Sequence, residues 1–209
     1  MTETVTKYKR DIPDKRGAIL AAACELFAER GFHGTTVPEV AERAHVGAGT
    51  VYRYFESKEA LVNALYQEWK TEFGRSLMKD FDHQASPRRQ FHEMWQRMAQ
   101  FATRYPKVVT FLELHHHAPY LDQASRDSEE KVRAPLVAFI EEMQRRDIIK
   151  RIPPDMVMAV VYGAFVGIAK AAQSGHLEWC AETLETAENC AWEAIPWRIE
   201  AAKQNGFSP

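Results

Sequence analysis

The chain has 209 residues, 45% of them hydrophobic, enough to build a sizeable core and to exclude intrinsic disorder. Its 27 Lys and Arg against 29 Asp and Glu leave a formal net charge of −2, which excludes a histone-like basic protein and hardly advertises a nucleic-acid partner. Cys24, Cys180 and Cys190 cannot all pair and show no CxxC spacing, so neither a disulfide framework nor a zinc ribbon is indicated.

In chain order, Met1 to Arg10 is polar and lacks the apolar stretch of a signal peptide, which predicts a cytoplasmic protein. Every long segment after it reads helical, and none shows sustained strand alternation. A first helix is expected from near Pro13 and Asp14, with Ile19, Ala22, Ala23, Leu26 and Phe27 as its apolar stripe. Gly31 is expected to end it as a left-handed cap. Thr36 to Glu39 fits a capping box that opens a short helix to about Ala44, and another short helix is expected from Ala48 to Phe55. Ser57 can cap a fourth, carrying Leu61, Ala64, Leu65 and Trp69. Prolines then punctuate the chain, giving helices at about 87–104, 106–117, 122–147, 154–173 and 178–195. Pro135 should kink or break the third of these. The apolar run Met156 to Ala169 falls short of the roughly 20 residues that cross a membrane, so a buried helix and no membrane partner are expected.

Thr36 to Phe55 is the segment that points to a function. Two short helices and a tight turn make a helix-turn-helix, whose second helix enters the DNA major groove. Val37, Val40, Ala41 and Ala44 supply a packing face, and Val46 fills the turn. Gly47, Ala48, Gly49 and Thr50 are small enough for backbone to approach a duplex, and a helix N-terminus favours phosphate. Tyr52, Arg53 and Tyr54 add hydroxyl and guanidinium donors. Between residues 43 and 58, Arg43, Arg53 and Lys58 face only Glu56, a local excess that matters more than the overall sum.

The run Ile19-Leu20-x3-Cys24-x-Leu26-Phe27-Ala28-x2-Gly31-Phe32-x2-Thr35-Thr36, then Val40-Ala41-x2-Ala44-x-Val46 and Thr50-Val51-Tyr52-x-Tyr54-Phe55-x2-Lys58-x2-Leu61, resembles a TetR/AcrR-family transcriptional regulator. The resemblance covers about the first quarter of the chain. It implies an all-α protein with a helix-turn-helix domain at 1–58 and an effector-binding and dimerisation domain at 59–209, acting as a repressor released by a small molecule. It implies phosphate contacts for Thr36, Thr50, Tyr52 and Lys58, and base or nearby backbone contacts for Ala48, Gly49, Arg53 and Tyr54. Arg53 suits a guanine, whose O6 and N7 its fork bonds together. Two departures stand out: His45 replaces a usual glycine, predicting a left-handed non-glycine residue, and Gly47 replaces a usual capping hydroxyl.

Family members sense small molecules with their C-terminal helices and pair through the last two. Gly163-x-x-x-Gly167 permits close helix approach. With Leu184 and Trp192 it marks the expected homodimer interface. Candidates for an effector pocket are Trp69, Trp95, Met98, Phe111, His115, Phe139, Met143, Tyr162 and Phe165, each of which is also at home in an ordinary core. Their character suggests an apolar or aromatic effector. His115-His116-His117 raises the rival reading of a metal enzyme, but adjacent helical residues point about 100° apart and cannot share one ion. No metal, cofactor or catalytic residue is expected. A second rival is a DNA-binding module whose C-terminal part binds only another protein.

Overall fold

In the computed structural model, which describes residues 14–114 and 118–196, Asp14 caps α1 (Lys15–Arg30), its Oδ1 accepting from Gly17 N at 3.0 Å. The expected stripe of Ile19, Ala22, Ala23, Leu26 and Phe27 is buried, and burial pushes the neighbouring Cys24 thiol up to about 11. Gly31 ends α1 at φ 68°, ψ −177°. Its φ is positive as expected, but its extended ψ is not that of a left-handed helical cap. Thr36 then opens α2 (Val37–Arg43) with the full capping box: Glu39 N donates to Thr36 Oγ1, and Thr36 N donates to Glu39 Oε2 at 2.8 Å.

His45 leaves α2 at φ 54°, the left-handed non-glycine turn that its sequence position predicts. Its N–H donates to Glu42 O at 3.0 Å and that of Val46 to Ala41 O at 2.9 Å, the paired bonds of a Schellman ending. This turn aims α3 (Ala48–Tyr54). Ser57 Oγ accepts from Ala60 N at 3.1 Å and opens α4 (Lys58–Met78).

Next come α5 (Pro87–Arg104) and the single turn α6 (Pro106–Val109). The helix expected to reach 117 gives way to a wide π turn, Thr110–Leu114, where the β-branched run Val108, Val109 and Thr110 crowds a regular helix. A 3₁₀ turn, Ala118–Tyr120, leads to α7 (Gln123–Arg145), which continues across Pro135 without the expected break. The chain closes with α8 (Pro154–Gln173) and α9 (Ala181–Ala194). The histidines at 115–117 and the cations Lys7, Lys9 and Arg10 lie outside the described residues.

The chain packs into two units. The first takes in α1 to α3, α4 as far as Trp69, and residues 106–126. Its centre is Phe27, stacked 6.2 Å from Phe32 and 6.1 Å from Phe111 by ring centroids. The second holds 70–105 and 127–196 of the described residues. There Trp95 donates its indole N–H to Leu184 O at 3.0 Å and meets Phe165 edge-on at 5.5 Å. Gly74 lets α4 touch α7: a Cβ there would lie 2.7 Å from Val132 Cγ2.

Among the described residues α8 is not the buried helix that its composition predicts. Only Val157, Phe165 and Ala169 are buried, while Met156 is 53% and Val160 40% exposed. The helix is also long and apolar enough, by length and composition, to span a bilayer, contrary to the estimate from its apolar run. Its open stripe therefore needs a partner of some kind, since apolar surface left in water is unfavourable.

Candidate nucleic-acid interface

The helix-turn-helix is built by burial on one side. Val37, Val40, Ala41, Val51 and Phe55 all face inward, which fixes α3 against α2 and α1 and turns its remaining side chains out. Tyr52 is 53% and Tyr54 41% exposed, and Arg53 between them is exposed too. The Arg53 guanidinium lies 5.6 Å from the Tyr54 ring centroid, and among the described residues no carboxylate pairs with it. Ala48 and Thr50 are half-buried and Gly49 is exposed at the helix start. A Cβ added at Gly47 or Gly49 meets nothing within 4 Å, and neither glycine has positive φ. The chain itself does not require glycine at either place. An α-helix with its side chains is about 10–12 Å across, so α3 (Ala48–Tyr54) matches a major groove about 12 Å wide.

The hydroxyl of Thr36, exposed beside this surface, donates to Glu39 Oε2 at 2.7 Å within its capping box. Lys58, expected at a phosphate, is bonded within the protein. Its Nζ donates to Phe32 O at 2.8 Å and to Thr35 O at 2.9 Å, and sits 4.1 Å from the Phe32 ring centroid. Two of its three protons thus tie the start of α4 to the turn between α1 and α2.

An ion-pair frame that sequence reading missed surrounds the motif. Glu25 and Glu29, one turn apart on α1, meet Arg43 of α2 at 2.8 and 4.0 Å and Lys107 of α6 at 3.9 and 3.2 Å. The Lys107 hydrogen bond holds the Glu29 carboxyl below the usual range, and bonds from the Thr36 side chain and backbone do the same for Glu39. The i, i+4 acids are visible in the sequence; Lys107 as their partner is not, because only the fold brings it there.

Residues 19–65 match the family model described as bacterial regulatory proteins, tetR family, and residues 66–197 match that of the tetracyclin repressor-like C-terminal domain. The chain belongs to the TetR family of transcriptional regulators. Its relatives include an uncharacterized HTH-type transcriptional regulator of Haemophilus influenzae, 24% identical over 85% of this chain and 93% of the relative. The HTH-type transcriptional repressor KstR2 of Mycobacterium tuberculosis is 30% identical over 65% of this chain and 62% of its own. A TetR-family regulator from Marinobacter aquaeolei shares the fold, with a TM-score of 0.79 at 23% identity over 88% of this chain and 96% of that one.

In the TetR-family body, the residues expected to line an effector pocket fall in different places. Trp69 and Phe111 belong to the first unit, and Phe111 is wholly buried against Phe27. Trp95, Met98, Met143 and Phe165 are buried in the second unit, where Phe139 and Tyr162 are half-buried; His115 lies outside the described residues. A cleft of about 570 Å³ between α5 and α9 is lined by none of them, but by Arg88, His92, Gln96, Trp179, Leu184 and Glu188 among others. At its wall the Glu188 carboxylate, 1% exposed, bonds Arg88 and accepts from His92 Nδ1 at 2.9 Å. Leu184 and Trp192 both sit against α5, Trp192 with its ring 5.1 Å from that of Phe91. Gly163 and Gly167 are exposed on α8, where an added Cβ meets nothing within 4 Å.

Proposed function

We propose that this chain is a homodimeric, non-enzymatic repressor that binds operator DNA through α3 of each protomer and releases it on binding a small apolar or aromatic effector. On this reading residues 1–58 carry the DNA-contacting surface and 59–209 the effector and dimer functions, with the protein at work in the cytoplasm. The observation that carries it is the outward face of α3. Arg53 stands there beside Tyr52 and Tyr54 with no carboxylate paired to it among the described residues, a donor set for base edges and phosphates. Gly49 supports the same reading. Gly47 is the N-cap of α3, where glycine is well tolerated, whereas Gly49 lies within its first turn, where glycine is a poorer helix former than Ala and nothing among the described residues calls for it; a close approach by a duplex backbone would.

Ala48, Gly49, Arg53 and Tyr54 are the residues assigned to base edges and adjoining backbone, and Thr36, Thr50 and Tyr52 to phosphates. Lys58 acts one step back, holding the turn that carries Thr36. The open stripe of α8 supports the dimer, since Gly163 and Gly167 admit close approach by a helix that the described residues do not supply. Two relatives are named for related work, the repressor KstR2 and a fatty acid metabolism regulator of Bacillus subtilis. Effector binding would act by population shift, favouring a state with the two α3 helices at the wrong separation for half-sites about 34–36 Å apart.

Selection of duplexes from a random pool, followed by gel retardation, tests this. A two-fold symmetric sequence should emerge and be retarded by the purified protein. Failure to enrich any sequence at low salt overturns the reading.

A further inference from the structure

The turn at 120–125 is remote in sequence from the helix-turn-helix, yet it is bonded both to the three-helix head and to α4. On the head side the Tyr120 ring stacks on Phe32, centroids 3.9 Å apart and 20° from parallel, and its hydroxyl bonds His33 Nε2. Phe32 is also the ring that receives the Lys58 ammonium. On the α4 side stands Asn63, only 5% exposed. Its Nδ2 donates to Glu59 O and Tyr120 O, both at 2.8 Å, and its Oδ1 accepts from Asp122 N at 2.8 Å and Ser125 Oγ at 2.6 Å. Gln67, one turn on, donates to Ser125 Oγ at 3.0 Å.

All four bonding positions of a buried amide are filled, three of them by one turn of chain. If burial were the only requirement, an apolar side chain would serve without the desolvation that Asn63 and Ser125 incur. A fully satisfied buried network specifies geometry: it is either made or broken, with little between. α7 begins inside this turn, at Gln123, so its first residues share the segment that fills the Asn63 amide.

We propose that the 120–125 turn is a clasp, and that Tyr120 and Asn63 are positioning residues which set the direction of α4 against the head and thereby the placement of α3 on DNA. The inference rests on the operator-binding reading above and deepens it.

The test is a spacing profile, using full-length protein and an operator selected from a random pool. Affinity is measured as base pairs are added or removed singly between the half-sites. Wild type should show one sharp optimum, falling about tenfold for a single step. Tyr120→Ala should flatten or move that optimum while binding to non-operator duplex stays within about twofold of wild type. Tyr120→Phe keeps the stacked ring and should restore the wild-type optimum. An unmoved optimum in Tyr120→Ala, with equal loss at every spacing, would make Tyr120 an ordinary packing residue and overturn the clasp. Should Tyr120→Ala fail to fold, amide exchange at Asp122 of the wild type decides. Slower exchange with operator than with non-operator DNA supports the clasp, and equal exchange overturns it. A wild-type profile without any optimum sinks the operator reading first and the clasp with it, which keeps the two failures distinct.

Discussion

Arg53 and Lys58 are cations close in sequence whose surroundings give them different work. The Arg53 guanidinium is exposed over Tyr54, so its fork is available to a guanine. Arg53→Ala should lose about 1–3 kcal/mol of discrimination at one base pair and leave binding to unrelated duplex nearly unchanged, read from competition with single-base operator variants. Equal loss on every sequence would remove its base-reading role. The Lys58 ammonium is bonded to the carbonyls of Phe32 and Thr35, which gives it structural work in the protein itself. Lys58→Ala should lower unfolding stability by about 1–2 kcal/mol, allowing for partial exposure, since bonds to a charged donor outweigh neutral ones. A phosphate contact would instead reveal itself as a fall of about 0.9 in the slope of log affinity against log salt. Measuring both quantities on one variant separates the two roles.

Helices α1, α2 and α6 are joined by charge as well as by packing, which makes the first unit sensitive to acid. Glu29 and Glu39 both have carboxyl groups held below the ordinary glutamate range, by Lys107 and by Thr36 respectively. A carboxyl whose folded value is depressed contributes stability above its unfolded value, near 4.3, and loses it as pH falls through the folded value. Unfolding midpoints in denaturant should therefore hold steady from neutral pH to about 5 and drop below about 4, with the Glu29→Gln, Glu39→Gln double variant showing a shallower drop. An identical drop in the double variant would show that other carboxylates govern the acid limb. The elements that carry this frame differ in how readable they were. The α2 capping box and the left-handed His45 are legible because local chemistry decides them: a hydroxyl three residues before a glutamate, and a backbone position that a short turn demands. The π turn at Thr110–Leu114 is not, since a β-branched run does not by itself say which turn will widen, and at Pro135 α7 stays continuous where a break is one of the two expected outcomes. In the candidate site the exposed face of α3 could be read from one stretch of sequence. The carbonyl partners of Lys58 and the clasp at Asn63 could not, because each bond joins segments remote in sequence that only the fold brings together.

At the scale of the whole molecule the net charge of −2 takes on a definite meaning. With Lys58, Arg43 and Lys107 engaged inside the protein, few cations of the described first unit remain for phosphates, and one α3 alone would hold DNA weakly. If two heads act together, as proposed, the surface to test is the open stripe of α8, where Met156, Val160, Gly163 and Gly167 follow one another at helical spacing. Gly163→Ala distinguishes a true interface from an idle surface by the sign of its effect. In an isolated protomer the added methyl meets nothing within 4 Å, so the only consequence is a better helix former, worth about 1 kcal/mol of added stability. If a second α8 packs against that backbone, the same methyl holds the helices apart, weakens the dimer and lowers operator affinity, by as much as about a hundredfold where bivalency is lost. Sedimentation of wild type and variant over a range of concentrations, beside thermal unfolding and operator titration, reads all three quantities. A variant that is more stable, equally dimeric and equally tight on operator would move the interface away from α8 altogether.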